Sequence, residues 1–240
     1  MYLVYLAAGR GSRLPKQYRK QPKCLTKIKD KTIFERNTKF FNKFKKKIII
    51  TGYKRNKLSN LIRITNFKEI FNKNYNNTNM VHSLMLSTKY IKKNYEITIC
   101  YGDILFENRI FNTLKKNRGN IMLINSKWLK YWKKRMNIKK VKKDAEDLII
   151  HKKKLISIGN KIKDKLPRYQ YMGIFKVSKR TLQNMNLFYK KIKSPKIDMT
   201  NFLNLCIKKN ILSMKTAIYS SMWHEIDHHN DIKLAEKELV

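Results

Sequence analysis

Segment 6–14 (LAAGRGSRL) combines two glycines with two arginines, and Lys23 follows it within the run 22–25 (PKCL). The segment continues directly from the apolar run 2–6, which predicts a first β-strand. Small residues and glycines at the end of a strand let backbone N–H groups turn inward and bind phosphate oxygens. Arg10, Arg13 and Lys23 add positive charge at the same place. The pattern therefore predicts a site for a nucleoside triphosphate that Lys23 contacts.

Two other phosphate-binding loops fit this segment less well. A dinucleotide-binding loop needs G-x-G-x-x-G, and only Gly9 and Gly11 are present. The Walker A sequence G-x-x-x-x-G-K-[ST] does not occur in the chain. A tight strand-to-helix turn with no ligand remains the alternative interpretation.

Two aspartates follow apolar runs of strand length and are candidates for binding a metal ion. Asp103 comes after the run 96–101 and a glycine, and Asp227 ends the segment 223–227 (WHEID). Mg²⁺, which accompanies a nucleoside triphosphate, binds one or two carboxylates together with phosphate oxygens and water. The two aspartates could share one metal ion or hold two. The alternative for each is a helix N-cap.

The spacing L-A-A-G-x-G-x-R-L followed by P-K-x-L resembles the signature of nucleotidyltransferases of the sugar-phosphate and phosphocholine type. The resemblance extends over nearly all of residues 1–240, and the tail 225–236 (EIDHHNDIKLAE) is similar to the E-I-D-x-x-x-D-x-x-x-x-E of phosphocholine-type members. It implies a Rossmann-like three-layer α/β fold with a small β-hairpin acceptor subdomain. It also implies that Asp103 and Asp227 bind the metal ion.

The same resemblance assigns residues to the nucleotide. It implies catalytic roles for Lys23, Arg13 and Asp103. Asn79 and Ser83 lie in a segment similar to the N-x-x-x-S-L helix start beside the nucleobase, although a simple Asn cap would look the same. The implied nucleotide-binding set is Leu6, Ala7, Ala8, Gly9, Arg10, Gly11, Ser12, Arg13, Lys23, Asn79, Ser83 and Asp103.

The acceptor side shows aromatic residues near carboxylates, which together suit an ammonium group. Trp128 and Trp132 are four residues apart and would share one face of a helix, and an acidic island follows at 144–147. The alternative is that the tryptophans fill the core and the acids balance nearby lysines. Phosphocholine and 2-aminoethylphosphonate cytidylyltransferases are similar in carrying W-x-x-x-W, D-A-E, Y-M-G and D-M-T segments. The acceptor-binding residues expected are Trp128, Trp132, Asp144, Glu146, Tyr171 and Glu225.

The resemblance implies an Mg²⁺-dependent cytidylyltransferase that transfers CMP from CTP to a small phosphate or phosphonate acceptor and releases pyrophosphate. An acceptor phosphate with a second pKa of about 6 needs no general base near neutral pH. Alignment and charge neutralisation by Lys23, Arg13 and Mg²⁺ would then carry catalysis. The alternatives are a sugar-1-phosphate nucleotidyltransferase that uses another nucleotide and, from a different class, a basic nucleic-acid-binding protein.

The formal net charge of +40, from 56 Lys and Arg against 16 Asp and Glu, could suggest a nucleic-acid partner. The lysines, however, are spread over the whole chain rather than gathered on one stripe. The abundance of Asn and Ile fits the codons of an AT-rich genome. We therefore expect nucleotide and acceptor as partners, without specific nucleic-acid binding, and leave a homodimer open.

Apolar runs of strand length alternate with longer helical patterns, which predicts a mostly parallel sheet covered on both faces. We expect one nucleotidyltransferase domain over 1–240, in which 126–175 forms an acceptor lobe. Three widely spaced cysteines and the lack of a signal peptide or membrane-length apolar run indicate a cytoplasmic protein. The predicted strands are 2–6, 47–51, 68–71, 96–101, 120–125, 170–177 and 214–219; the helices are 79–91, 178–190, 198–208 and 231–239; a hairpin spans 148–158.

Overall fold

The computed structural model describes residues 1–92, 94–162 and 165–239. Within these residues the strands are β1 (Tyr2–Ala7), β2 (Lys27–Ile28), β3 (Lys31–Thr32), β4 (Lys46–Thr51), β5 (Lys68–Phe71), β6 (Glu96–Tyr101), β7 (Ile104–Phe106), β8 (Ile121–Asn125), β9 (Glu146–His151), β10 (Lys154–Lys161), β11 (Gln170–Ser178), β12 (Lys215–Ile218) and β13 (Trp223–Glu225). The α-helices are α1 (Ile33–Arg36), α2 (Thr38–Phe41), α3 (Ser59–Ile64), α4 (Met80–Leu86), α5 (Ile110–Lys116), α6 (Trp128–Arg135), α7 (Ile138–Asp144), α8 (Lys179–Lys191), α9 (Met199–Lys208) and α10 (His229–Glu238).

A mostly parallel sheet in the order β5-β4-β1-β6-β11-β8-β12-β10-β9 forms the centre of the described chain. Its strands run in one direction except for β10 and β11, which pair antiparallel with their neighbours. Every residue of β1 is buried, as expected for a parallel strand covered on both faces. The mixed α/β fold class predicted from the sequence is confirmed.

The register of the central strands brings two predicted site segments together. β1 pairs in parallel with β6, and Leu6 lies opposite Tyr101 at the carboxyl ends of both strands. The glycine loop after β1 and Asp103 after β6 therefore leave the sheet at the same edge. In open α/β sheets this edge is where ligands bind.

Tyr5, at the centre of the sheet, packs edge to face on Phe34 and Phe41, with ring centroids 5.7 and 4.9 Å apart. The apolar interior around it is continuous, and it anchors the strand whose end carries the glycine loop. The Tyr5 hydroxyl also donates to the carbonyl of Gly102 at 3.1 Å. This buried bond ties β1 to the turn that presents Asp103.

The predicted strands and helices are present, with shifts at their ends. The helix predicted over 79–91 ends at Leu86 and is followed by a 3₁₀ turn, Thr88–Tyr90. The Ser87 hydroxyl donates to the Leu84 carbonyl at 2.6 Å, and such local bonds compete with helix continuation. The predicted hairpin is formed by β9 and β10, whose turn residues Lys152 and Lys153 both have positive φ.

Segment 126–175 supplies α6, α7, β9, β10 and the start of β11, and its strands belong to the same large sheet as β1. Its boundaries as an acceptor lobe stay a prediction, as does the single domain. Among the described residues, no helix combines the length and the apolar character that a bilayer crossing requires.

Candidate active site

A cleft of about 580 Å³ opens at the sheet edge where the glycine loop, Asp103 and the start of α4 meet. Of the residues predicted to bind the nucleotide, eight line it: Leu6, Ala7, Ala8, Gly9, Lys23, Asn79, Ser83 and Asp103. The structure thus brings together residues from four separate segments of the chain between Leu6 and Asp103.

The rest of the glycine loop lies beside the cleft rather than in its lining. Arg10 and Ser12 are exposed, and Gly11 is half-buried. Arg10 sits over the rings of Tyr53 and Tyr75, with its Cζ atom 5.8 and 5.9 Å from their centroids. The guanidinium is therefore held near the cleft wall, of which Tyr75 is part.

Gly102 and Gly9 differ in what an added side chain would meet. A Cβ atom at Gly102 would lie 2.6 Å from the carbonyl oxygen of Leu6, so only glycine lets the turn after β6 approach the end of β1. A Cβ atom at Gly9 would meet no protein atom within 4 Å among the described residues. Protein packing therefore does not require glycine at position 9, whereas a closely bound phosphate would.

Lys23 lies between the two predicted metal-binding aspartates. Its Nζ donates to Asp103 Oδ2 at 2.7 Å and also to Asp227 Oδ1, while Arg13 Nη2 lies 2.9 Å from Asp227 Oδ1. Burial would lower the pKa of Lys23, but the charges of Asp103 and Asp227 outweigh it and raise that pKa. Burial would raise the pKa of Asp227, but Lys23 and Arg13 outweigh it and lower that pKa. All three predicted catalytic residues are therefore connected through one ion-pair network.

Glu225 joins the two aspartates in an acidic cluster. One carboxylate oxygen from each of Asp103, Glu225 and Asp227 lies within 4.8 Å of the others. The antiparallel pairing of β7 with β13 creates the cluster, since Glu225 lies opposite Ile104 and the Ile226 N–H donates to the Asp103 carbonyl at 2.9 Å. Burial, followed by the charges of Asp227 and Asp103, raises the pKa of Glu225 to about 7.

The cluster suits Mg²⁺, which prefers hard oxygen ligands. Asp103 Oδ1 is buried and has no hydrogen-bond partner among the described residues, so one carboxylate oxygen is left for a further ligand. The sequence analysis assigned Glu225 to the acceptor and missed its place beside the aspartates. The sequence E-I-D at 225–227 could have indicated this position, because the side chains of residues two apart on an extended chain point to the same side.

At the start of α4, Asn79 caps the helix by accepting from the Met80 N–H at 2.8 Å, and its Nδ2 donates to the Lys196 carbonyl at 3.3 Å. Ser83 is buried and accepts from Asn72 Nδ2 at 3.1 Å. Asn72 also lines the cleft, and the sequence analysis did not predict it. Asn72 directly follows strand β5, at the edge of the sheet that carries the glycine loop, and this position could have predicted its role from the sequence.

The two tryptophans share one face of α6, as predicted, with ring centroids 5.3 Å apart. Trp128 is 1 % exposed, and its Nε1 donates to the Pro167 carbonyl at 3.2 Å, so its ring is part of the core. Trp132 instead lines a second, narrow pocket together with Glu225. The Arg135 guanidinium already lies over the Trp132 ring, with its Cζ 5.3 Å from the centroid.

The remaining predicted acceptor residues lie outside both cavities. Asp144 is exposed at the end of α7. Glu146 accepts from the Thr200 hydroxyl at 2.9 Å, and burial raises its pKa. Tyr171 packs edge to face on Tyr101, with ring centroids 5.8 Å apart. Their acceptor roles stay predictions.

Three known proteins are similar to the chain over nearly its whole length, although no family model matches it. It is 27 % identical to the CTP:phosphoglutamine cytidylyltransferase of Campylobacter jejuni over 98 % of each sequence. Its fold matches the CTP:phosphocholine cytidylyltransferase from Streptococcus pneumoniae with a TM-score of 0.76, at 20 % identity over 100 % of this chain and 99 % of that one. It equally matches the inositol-1-phosphate CTP transferase of T. maritima, with a TM-score of 0.76 and 17 % identity over 100 % and 97 %. The resemblance seen in the sequence is confirmed: the chain is similar to nucleotidyltransferases of the sugar-phosphate and phosphocholine type.

Proposed function

We propose that this nucleotidyltransferase is an Mg²⁺-dependent cytidylyltransferase that transfers CMP from CTP to a small phosphate or phosphonate acceptor. The observation that carries the proposal is the Lys23–Asp103–Asp227 network at the wall of the cleft that the glycine loop lines. It places a buried ammonium and two carboxylates where a triphosphate would enter. The names of the Campylobacter and Streptococcus proteins support CTP as the nucleotide.

The reaction needs charge neutralisation more than proton transfer. An acceptor phosphate with a second pKa of about 6 is largely a dianion at neutral pH and needs no general base. One of its oxygens attacks the α-phosphorus of CTP, the bond from that phosphorus to the bridging oxygen breaks, and pyrophosphate leaves with the electron pair. Lys23 and Arg13 would offset the negative charge that develops, and the N–H groups of the glycine loop would orient the phosphates.

The three clustered carboxylates would hold Mg²⁺, which supplies further charge neutralisation on the phosphates when it is bound. Lys23 neutralises Asp103 and, together with Arg13, Asp227 in this structure. In the loaded enzyme its ammonium would be available to phosphate oxygens instead. Arg13 would do the same from the surface, because its side chain is 62 % exposed and free to turn.

The second pocket is the best candidate for the acceptor's headgroup. Trp132 supplies an aromatic face and Glu225 a negative charge, which together suit an amine or quaternary ammonium such as phosphocholine or 2-aminoethylphosphonate carries. The position of Arg135 favours a second kind of acceptor, because its guanidinium already covers the Trp132 ring. An acceptor that carries a carboxylate beside its amine, like the phosphoglutamine of the Campylobacter relative's name, would match both charges of the pocket.

We place this activity in the cytoplasm, where nucleoside triphosphates are available. The three cysteines support a reducing compartment, because all are buried and free.

The test is pyrophosphate release from CTP, UTP, GTP and dTTP, each with phosphocholine, 2-aminoethylphosphonate, phosphoglutamine and inositol 1-phosphate. We expect turnover with CTP and an amine-bearing acceptor, dependent on Mg²⁺. Asp103→Asn should abolish it, whereas Asp30→Asn, a change at a carboxylate that is 69 % exposed, should not. Turnover only with another nucleotide, or none with CTP and any acceptor, would overturn the proposal.

A further inference from the structure

Asp231, in the first turn of α10, has a carboxylate that holds the backbone of the metal-binding segment. Its Oδ2 accepts from the Asp227 N–H at 2.8 Å and from the His228 N–H at 2.7 Å. The second bond belongs to the capping of α10, whereas the first reaches one of the three clustered carboxylate residues. Asp231 is 2 % exposed, so water does not replace these bonds.

The charge of Asp231 is balanced from the acceptor side of the molecule. Arg135, the last residue of α6, places its Nε 2.7 Å from Asp231 Oδ1 and donates through Nη2 to Oδ2 at 3.0 Å. Its Nη1 lies 3.8 Å from Glu225 Oε2. The side chains of Arg135 and Asp231 are 7 % and 3 % exposed. One buried guanidinium thus contacts the carboxylate that holds Asp227 and approaches a second member of the acidic cluster.

A helix cap alone does not account for this arrangement. A capping carboxylate functions at a solvent-exposed helix end, whereas burying an aspartate with an arginine carries a desolvation penalty that the pair has to offset. In some proteins buried ionic groups serve to fix one conformation. The position fixed here is the backbone of Asp227.

We infer that Asp231 is a positioning residue for the metal site and that Arg135 makes its position depend on helix α6. The inference rests on the proposed function, since it assigns to Asp231 the task of placing Asp227 for Mg²⁺ and CTP. The side chain of Asp227 is held by Lys23 and Arg13, and its backbone is held by Asp231. Because α6 also carries Trp132, metal binding and occupation of the second pocket would be linked, and each would change the affinity of the other by the same factor.

The experiment follows metal binding at saturating CTP with Mn²⁺ as the probe, through the enhancement of water proton relaxation that distinguishes Mn²⁺–CTP bound to the protein from Mn²⁺–CTP in solution. Asp231→Ala removes the carboxylate that accepts hydrogen bonds from the Asp227 and His228 N–H groups. It should weaken Mn²⁺ binding roughly tenfold, which corresponds to about 1.4 kcal/mol. Asp231→Asn should lose less than Asp231→Ala, about as much as Arg135→Met, because its amide oxygen still accepts from both N–H groups although it no longer pairs as a charge with Arg135. Lys134→Met is the matched control, since Lys134 joins α6 to α10 through Glu238 without touching the Asp227 segment.

Activity gives the second readout. In Asp231→Ala the Mg²⁺ concentration for half-maximal rate should rise in parallel with the Mn²⁺ dissociation constant, and excess Mg²⁺ should restore most of kcat. A merely structural role would lower the rate at every Mg²⁺ concentration. Arg135→Met keeps the Asp231 cap of α10 and should weaken Mn²⁺ binding severalfold. It therefore tests the positioning role even if Asp231→Ala does not fold.

Wild-type Mn²⁺ affinity in a folded Asp231→Ala or in Arg135→Met, with turnover intact, would overturn the positioning role while leaving the cytidylyltransferase proposal standing. Failure of the unmodified protein to bind Mn²⁺ with CTP and to turn over CTP would overturn both. The same loss in Lys134→Met as in Arg135→Met would also contradict the inference, because it would trace the effect to helix docking in general.

Discussion

The proposed nucleotide side and the proposed acceptor side of the molecule are built in different ways. On the proposed nucleotide side, the glycine loop and Asp103 follow directly from the ends of β1 and β6, two neighbouring parallel strands. On the acceptor side, Trp132, Arg135 and Glu225 come from a helix and from the short strand β13, which meet only through long-range packing. The first side is specified by a local motif, and the second by tertiary structure.

This difference determines what a substitution should do in each region. Groups at strand ends can be changed with limited effect on the core, because their side chains face the cleft. The acceptor side places aromatic groups in the interior, where a change acts on stability before it acts on the acceptor. Four substitutions test this contrast.

The largest effect is expected for Lys23→Met. Loss of the ammonium should lower kcat roughly 10³-fold, as for removal of one charge-stabilising donor in other enzymes. The metal-free protein should also unfold more easily, because Asp103 and Asp227 lose the cation between them. Steady-state kinetics and thermal unfolding with and without Mg²⁺ measure both effects. Lys39→Met, at an exposed lysine, is the control, and a Lys23→Met enzyme with normal kcat would show that the network is structural only.

Trp128→Ala should mainly affect folding. The ring is fully packed and its Nε1 bonds to a backbone carbonyl, so we expect a loss of roughly 3–5 kcal/mol in the free energy of unfolding. Denaturant titration measures this loss. A stable variant with a raised acceptor KM and an unchanged KM for CTP would instead support the acceptor role predicted from the sequence.

Gly9→Ala should separate binding from stability. The new Cβ meets no protein atom within 4 Å among the described residues, so the unfolding free energy should stay within about 0.5 kcal/mol. The KM for CTP should rise, roughly tenfold, because the methyl group would limit the approach of a phosphate to the loop. Gly102→Ala is the contrasting variant: its Cβ clashes with the Leu6 carbonyl and should cost about 1–3 kcal/mol of stability. Equal behaviour of the two variants would refute the distinction.

Trp132→Phe should give the smallest effect, a severalfold rise in the acceptor KM with little change in the KM for CTP. Phenylalanine keeps an aromatic face, but this face attracts a cation more weakly than that of tryptophan. Trp132 is 8 % exposed and its Nε1 has no partner among the described residues, so the replacement loses no hydrogen bond. If the KM for CTP changes instead, the second pocket does not take the acceptor.

The sequence places the glycine loop and Lys23 together for a physical reason. A buried parallel strand reads as an apolar run, and the glycines and Lys23 that follow it are close in sequence, so their convergence needs little tertiary information. The pairing of Asp103 with Asp227 came from the family resemblance, because the β7–β13 pairing that joins them is short and carries no local signal. Glu225 was assigned to the acceptor, although E-I-D spacing places it beside Asp227.

The acceptor side could not be predicted to the same depth. Helical spacing placed Trp128 and Trp132 on one face correctly, but periodicity does not distinguish a core face from a pocket wall. Arg135 and Asp231 form an ion pair although they are 96 positions apart in the chain. No feature of the basic run 133–135 indicates that Arg135 is the residue that is buried. Burial of a single charge among many is a property of packing alone.

The most direct test of the account is phosphorus NMR of a reaction containing CTP, Mg²⁺ and one amine-bearing acceptor at a time. Transfer of CMP predicts paired resonances of a new phosphoanhydride linkage that increase together with free pyrophosphate, and neither signal in the Asp103→Asn enzyme. Release of inorganic phosphate without a new anhydride, or transfer of UMP from UTP at an equal rate, would contradict the assignment of this cleft to cytidylyl transfer.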